Sequence, residues 1–223
     1  MPQEDLDKAF LTISKEKLCN LPPAGYKGQI IVIDKPEEVE NAIKNLRSEK
    51  VIGFDTETRP SFRRGQTYNV ALIQLAIPGY CYLFRTNDIG YPKQLINLLE
   101  DGNIIKVGLS VHDDFHNLRR VTEVDPQGFI DLQSFVKNFK IADNSLSRIF
   151  GILFGERISK GQRLTNWESQ ELSDSQLNYA ALDAEACLRI YNYLKGGEFN
   201  PYQSEYLTFP QEPEDIKEEN KEQ

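Results

Sequence analysis

The sequence predicts a mixed α/β domain, a sheet of five to six strands flanked by helices. Short β-branched and apolar runs first alternate with segments of helical periodicity, and after residue 131 every periodic segment reads as helix. A chain of 223 residues, 39% hydrophobic and 27% charged, is also long enough to close one core of this kind.

Taken in order, residues 1–28 read as an N-terminal extension, with weak helix signals over 5–11 and 14–21 that end at the breakers Pro22, Pro23 and Gly25. The domain proper is expected over 29–197. It opens with a β-branched strand at 29–33, and Asp34-Lys35-Pro36 then starts a helix that keeps helical spacing through Leu46. Val51 to Phe54 reads as a buried strand that runs straight into Asp55-Thr56-Glu57. After a loop holding Arg59, Arg63 and Arg64, residues 69–77 and 80–84 form a hairpin about Pro78-Gly79, so three antiparallel strands follow one another. A helix at 94–99, a short strand at 104–107, a helix at 112–121 entered through Gly108 and Ser110, and a strand at 129–130 come next. The remaining helices are 132–139, 146–154 and 173–194, the last opened by Ser173-Asp174 and closed by Gly196-Gly197. Residues 198–223 read as an acidic, flexible C-terminal tail.

The charge balance narrows the function. A formal net charge of −8 speaks against a protein whose affinity for nucleic acid comes from a surplus of Lys and Arg. Much of the excess lies in the tail, where eight acids face only Lys217 and Lys221, so the rest of the chain is nearly neutral. No basic start precedes an apolar run, and nothing approaches the roughly 20 apolar residues of a bilayer span, so a cytoplasmic protein without membrane attachment is expected. Cys19, Cys81 and Cys187 are odd in number and far apart, which suggests packed or half-buried thiols rather than a disulfide framework or a zinc site.

Three segments carry chemistry. In Asp55-Thr56-Glu57, residues two apart on a strand share a face, so two carboxylates can converge on one hard cation. In Tyr179-Ala180-Ala181-Leu182-Asp183, a spacing of four puts phenol and carboxylate one helical turn apart; the bland alternative is a core tyrosine beside a salt-bridging aspartate, with Arg189 as partner. In Lys106-Val107-Gly108 through Asp113-Asp114 and Leu118, a strand and a small-residue turn lead into a helix that begins with acids, which would also serve the helix dipole.

In this order the three segments resemble the motifs of the DEDDy branch of 3'-5' exonucleases, the group of ribonuclease D and the exonuclease domain of the Werner syndrome helicase. Arg163-Leu164-Thr165-Asn166-Trp167-Glu168 is similar to the segment that leads into the family's third motif. The resemblance covers residues 29 to about 194 and implies a ribonuclease H-like fold. It also implies a hydrolase that removes single nucleotides from a nucleic-acid 3' end as 5'-monophosphates, with two divalent cations, Mg²⁺ or Mn²⁺.

By that resemblance Asp55 bridges the two cations, Glu57 and Asp183 complete one, Asp114 supports the other, and Tyr179 orients the attacking water. Counting from Lys106-Val107-Gly108 selects Asp114 over Asp113, which is left as an acid at the mouth of the site; His112 and His116 read as rim or surface residues. Thr56, Arg59, Arg63, Arg64, Lys160 and Arg163 are candidates for substrate contact, Arg157 could line the strand path, and Trp167 reads as a core anchor. The partner is then a single-stranded or recessed 3' end of DNA or RNA, since nothing in the chain identifies a group that tests for the 2'-OH. The competing reading from another class is an inactive nucleic-acid-binding or scaffold module on the same fold.

Overall fold

The computed structural model describes residues 3–210. Two short helices, α1 (Gln3–Lys8) and α2 (Lys15–Asn20), flank strand β1 (Phe10–Leu11). The core follows as β2 (Gln29–Ile33), α3 (Pro36–Leu46), β3 (Val51–Thr58), β4 (Val70–Ile77) and β5 (Tyr80–Arg85). Next come α4 (Thr86–Ile89), α5 (Lys93–Leu99), β6 (Ile105–Gly108), α6 (Val111–Arg119) and β7 (Phe129–Asp131). The chain continues through α7 (Leu132–Phe135), α8 (Leu146–Phe154), the long α9 (Asp174–Lys195) and β8 (Leu207–Thr208).

Six strands form the main sheet in the order β2-β5-β4-β3-β6-β7. The β3-β4-β5 run is antiparallel, as the hairpin signal predicts, whereas β2, β6 and β7 join in parallel through helical crossovers. The fold is therefore the mixed sheet expected, with β3 near its middle. The two faces are covered separately. Ile52 and Phe54 of β3 belong to one apolar cluster with α3, α5 and α6, while α8 and α9 build the others on the opposite side. Helix α9 starts with a full capping box, in which the Ser173 hydroxyl accepts from the Gln176 amide and the Gln176 side chain accepts from the Ser173 amide.

The chain ends differ from the expectation. Phe10–Leu11 forms a strand, not part of a helix, and pairs antiparallel with β8, which lies in the segment expected as a tail. The cause is a period-two pattern: Ala9, Leu11 and Ile13 are all buried, the last two completely, and Tyr206 is buried from the C-terminal side. Residues 211–223, the most acidic part of the expected tail, lie outside the described residues.

Candidate active site

Gly53, Asp55 and Glu57 share the face of β3 turned toward α9. Glycine is required at position 53 because a Cβ there would stand 2.0 Å from the carbonyl oxygen of Ala184. With only hydrogen at that point, the helix backbone lies against the strand and Asp183, one residue before Ala184, arrives beside Asp55. One carboxylate oxygen from each of Asp55, Glu57 and Asp183 lies within 4.8 Å of the other two. Glu57 and Asp183 are only 8% and 6% exposed, and Oδ1 of Asp183 is buried without a hydrogen-bond partner.

Asp114 comes from α6, on the other side of the strand, near enough for the Asp55 charge to act on it but outside the trio. The Thr56 hydroxyl, on the face opposite Asp55, donates to its carboxylate. Helix α6 is set by Ser110 in the left-handed region (φ 58°), with the amides of Ser110 and Val111 donating to the Asp131 carboxylate at 3.2 and 3.1 Å. Asp114 is half-buried, and Asp113 is exposed at the rim of the cleft.

Carboxylates gathered out of water resist ionisation. Burial, then the charges of Asp55 and Asp183, push Glu57 up to about 10. Burial and Asp55 push Asp114 up to about 8 against the hydrogen bond from Thr56. Burial pushes Asp183 up to about 7, opposed by a hydrogen bond from Tyr179 and by Lys160. Asp55 is held well above the carboxylate range by burial and by Asp183. The Tyr179 phenol is pushed up by burial and by the Asp183 charge, so it stays protonated and acts as a donor.

Asp55, Glu57, Tyr179 and Asp183 line a cleft of about 350 Å³, which also takes in Ser110, Asp113, Asn144, Ser159, Lys160 and Arg163, whereas Asp114 does not line it. The candidate substrate residues thus divide. Lys160 and Arg163 stand in the cleft with the carboxylates. Arg59 turns away, paired with Glu168 at 3.1 Å and stacked 4.8 Å from the Tyr68 ring centroid. Arg63 lines a neighbouring cleft, and Arg64 is exposed and lines neither. The Thr56 hydroxyl, a candidate for substrate contact, is engaged with Asp114.

Other expectations meet similar outcomes. Arg157 is tied by its backbone to Pro22 and Ala24 and does not line the cleft. Arg189 stacks on Phe150 and Phe154 rather than pairing with Asp183. Trp167 is a core residue at 1% exposure, and His112 and His116 are exposed. Cys19 is exposed, while Cys81 and Cys187 are buried; burial pushes the Cys187 thiol up, so it enters the cleft wall as a neutral thiol.

Gly53 and Asp131 escaped the sequence reading as contributors to the site. A glycine inside a β-branched strand signals close backbone approach, and an aspartate between a strand and a helix signals a cap; Asp131 is indeed the N-cap of α7.

A model of the 3'-5' exonuclease family matches residues 30–196. The chain belongs to this family. It is 31% identical over 199 residues to the bifunctional 3'-5' exonuclease/ATP-dependent helicase WRN of Mus musculus, a match that spans 81% of this chain and 14% of that protein. It is 32% identical over 200 residues to a 3'-5' exonuclease of Arabidopsis thaliana, covering 82% of this chain and 69% of that one. The crystal structure of the Aedes aegypti Nibbler EXO domain superposes with a TM-score of 0.70 at 20% identity, over 80% of this chain and 96% of that domain. The DEDDy resemblance and the ribonuclease H-like fold thus hold. Among the described residues no helix is long and apolar enough to cross a membrane.

Proposed function

We propose that this chain is an active exonuclease whose carboxylates Asp55, Glu57, Asp114 and Asp183 hold two divalent cations, Mg²⁺ or Mn²⁺, and that it releases nucleoside 5'-monophosphates one at a time from a 3' end. The supporting observation is the trio of Asp55, Glu57 and Asp183, with an oxygen of each inside 4.8 Å and one Asp183 oxygen unpartnered. A buried carboxylate with a free oxygen is destabilising unless a cation meets it, and an all-oxygen donor set suits a hard cation. When bound, such cations lower the pKa of an attacking water and neutralise charge on the phosphoryl and leaving oxygens.

The protein groups divide the remaining work. Tyr179, protonated and turned toward Asp183, is a donor that orients the nucleophilic water rather than a base. Lys160 and Arg163 supply positive charge to the phosphates on the open side of the cleft. Thr56 holds Asp114 in position from behind the strand. We read residues 29–197 as the catalytic unit, with 1–28 as an extension and 198–223 as a C-terminal segment. The substrate is a single-stranded or recessed 3' end of DNA or RNA. The unpaired cysteines support a cytoplasmic setting.

Digestion of matched DNA and RNA, single-stranded and recessed, with each metal and with EDTA tests the proposal. Mononucleotides should accumulate only with metal, and Tyr179→Phe should lower kcat by about ten- to a hundred-fold with little change in KM. Undiminished activity in EDTA, or in Asp55→Asn, would overturn the assignment.

A further inference from the structure

Beside the catalytic cleft runs a second one of about 470 Å³, lined by Arg59, Phe62, Arg63 and Tyr68 from one loop and by Leu164 and Asn166 from another. Two features set it apart. Phe62 is 81% exposed and Leu164 is 65% exposed, the two most exposed large apolar side chains among the described residues, and both line this one cleft. Isolated exposed apolar residues are ordinary, but two that line one cleft signal something that covers them.

Side-chain contacts link part of the lining. Gln66 donates to the Tyr68 hydroxyl at 2.6 Å, the Arg59 guanidinium lies 4.8 Å from the Tyr68 ring centroid, and Arg59 pairs with Glu168 at 3.1 Å. That chain of contacts uses Arg59 and leaves Arg63 without an ion-pair partner among the described residues. A cationic side chain thus lines the same cleft as two exposed apolar side chains and a stacked guanidinium and phenol.

The two clefts adjoin along the chain. Glu57 lies in one and Arg59, two residues on, in the other; Arg163 and Leu164 stand one in each, their Cα atoms about 3.8 Å apart. The second cleft is therefore within reach of the nucleotides that adjoin a phosphodiester held at the carboxylates.

We propose that this cleft is a stacking subsite for an unpaired nucleobase one or two nucleotides upstream of the scissile bond, gripped between Phe62 and Leu164, with Arg63 on the adjoining phosphate. The inference rests on the exonuclease reading of the neighbouring cleft and deepens it. A π-face carries no sugar information, so the subsite selects unpaired strands of DNA and RNA alike, against duplex ends whose upstream bases are paired.

The test is a binding cycle, which needs no turnover. Affinity of the full chain for 3'-labelled single strands is measured by fluorescence anisotropy with metal chelated, using an intact strand and one carrying abasic sites at the second and third positions from the 3' end. The proteins are wild type, the double variant Phe62→Ala/Leu164→Ala, and Phe62→Trp; both side chains are exposed, so thermal melting should show unchanged folding.

Stacking losses correspond to about ten-fold in affinity. The double variant and the abasic strand should each lose about that factor and together lose no more, while Phe62→Trp keeps wild-type affinity. Equal losses by the variant on intact and abasic strands would overturn the subsite, as would no loss at all. So would a wild type that dimerises through this patch while the cycle shows no coupling. If the cycle holds and no strand is digested with Mg²⁺ or Mn²⁺, the subsite stands and the catalytic proposal fails.

Discussion

The two faces of strand β3 are built to opposite ends. On the face toward α6, Phe54 packs edge-on against Phe129 at 5.0 Å, Phe129 against Phe115 at 4.7 Å, and the Thr56 hydroxyl donates to the Asp114 carboxylate. On the face toward α9, side chains alternate with these: Gly53 contributes no packing, and Asp55 and Glu57 meet Asp183, all three pushed upward by burial even with Tyr179 and Lys160 acting on Asp183. One strand thus contributes core burial on one side and accumulated like charge on the other. The stability supplied by the α6 face lets the α9 face remain unsatisfied until cations and substrate arrive.

The sharpest way to break the contrast is Asp183→Asn. Activity should fall on the order of 10³-fold, because the trio loses a charged ligand. Without metal the same variant should melt higher than the wild type, because a repulsion is removed; a lower melting temperature would mean that the α9 face is stabilising after all. Gly53→Ala comes next. Its methyl meets the Ala184 carbonyl, so the helix must shift, with a loss of about 1–3 kcal/mol in urea denaturation and a fall in kcat as Asp183 moves from Asp55.

The pH dependence of stability separates the faces without mutation. Asp183, Asp114 and Glu57 keep their protons to about pH 7, 8 and 10 in the folded chain, against carboxylate values near 4 when unfolded. The folded state therefore binds more protons, and the stability this confers is complete below about pH 4 and declines as pH rises through the folded values. The metal-free protein should lose melting temperature between pH 5 and pH 9, and Mg²⁺ or Mn²⁺ should restore most at the alkaline end, where more of the ligands are ionised. A flat profile in EDTA would sink this account.

Two smaller changes probe the α6 face. Thr56→Val keeps the shape and removes the donor to Asp114, so kcat at saturating metal should drop about ten-fold with a small effect on folding. Ser110→Gly relieves a left-handed residue (φ 58°) and should raise stability by about 1 kcal/mol, measured by the denaturation midpoint.

The parts legible in the sequence are those with a local cause. Strand β3 and the convergence of Asp55 with Glu57 follow from a period of two, and the turn between Tyr179 and Asp183 from a period of four. The hairpin at Pro78-Gly79 and the start of α9 at Ser173 are likewise written in neighbouring residues, as β4-β5 and the capping box bear out. What only the tertiary structure decided has its cause elsewhere in the chain. Gly53 matters because of a carbonyl at residue 184, and Thr56 because of a carboxylate at residue 114. The pairing of Leu11 with Leu207 joins two-residue strands whose own propensity is too slight to read. The arginines after Glu57 look alike in sequence, and only their neighbours separate Arg59, neutralised by Glu168, from Arg63, which faces an open cleft. Local periodicity selects which face a side chain takes, whereas the group it meets there depends on segments that only folding brings together.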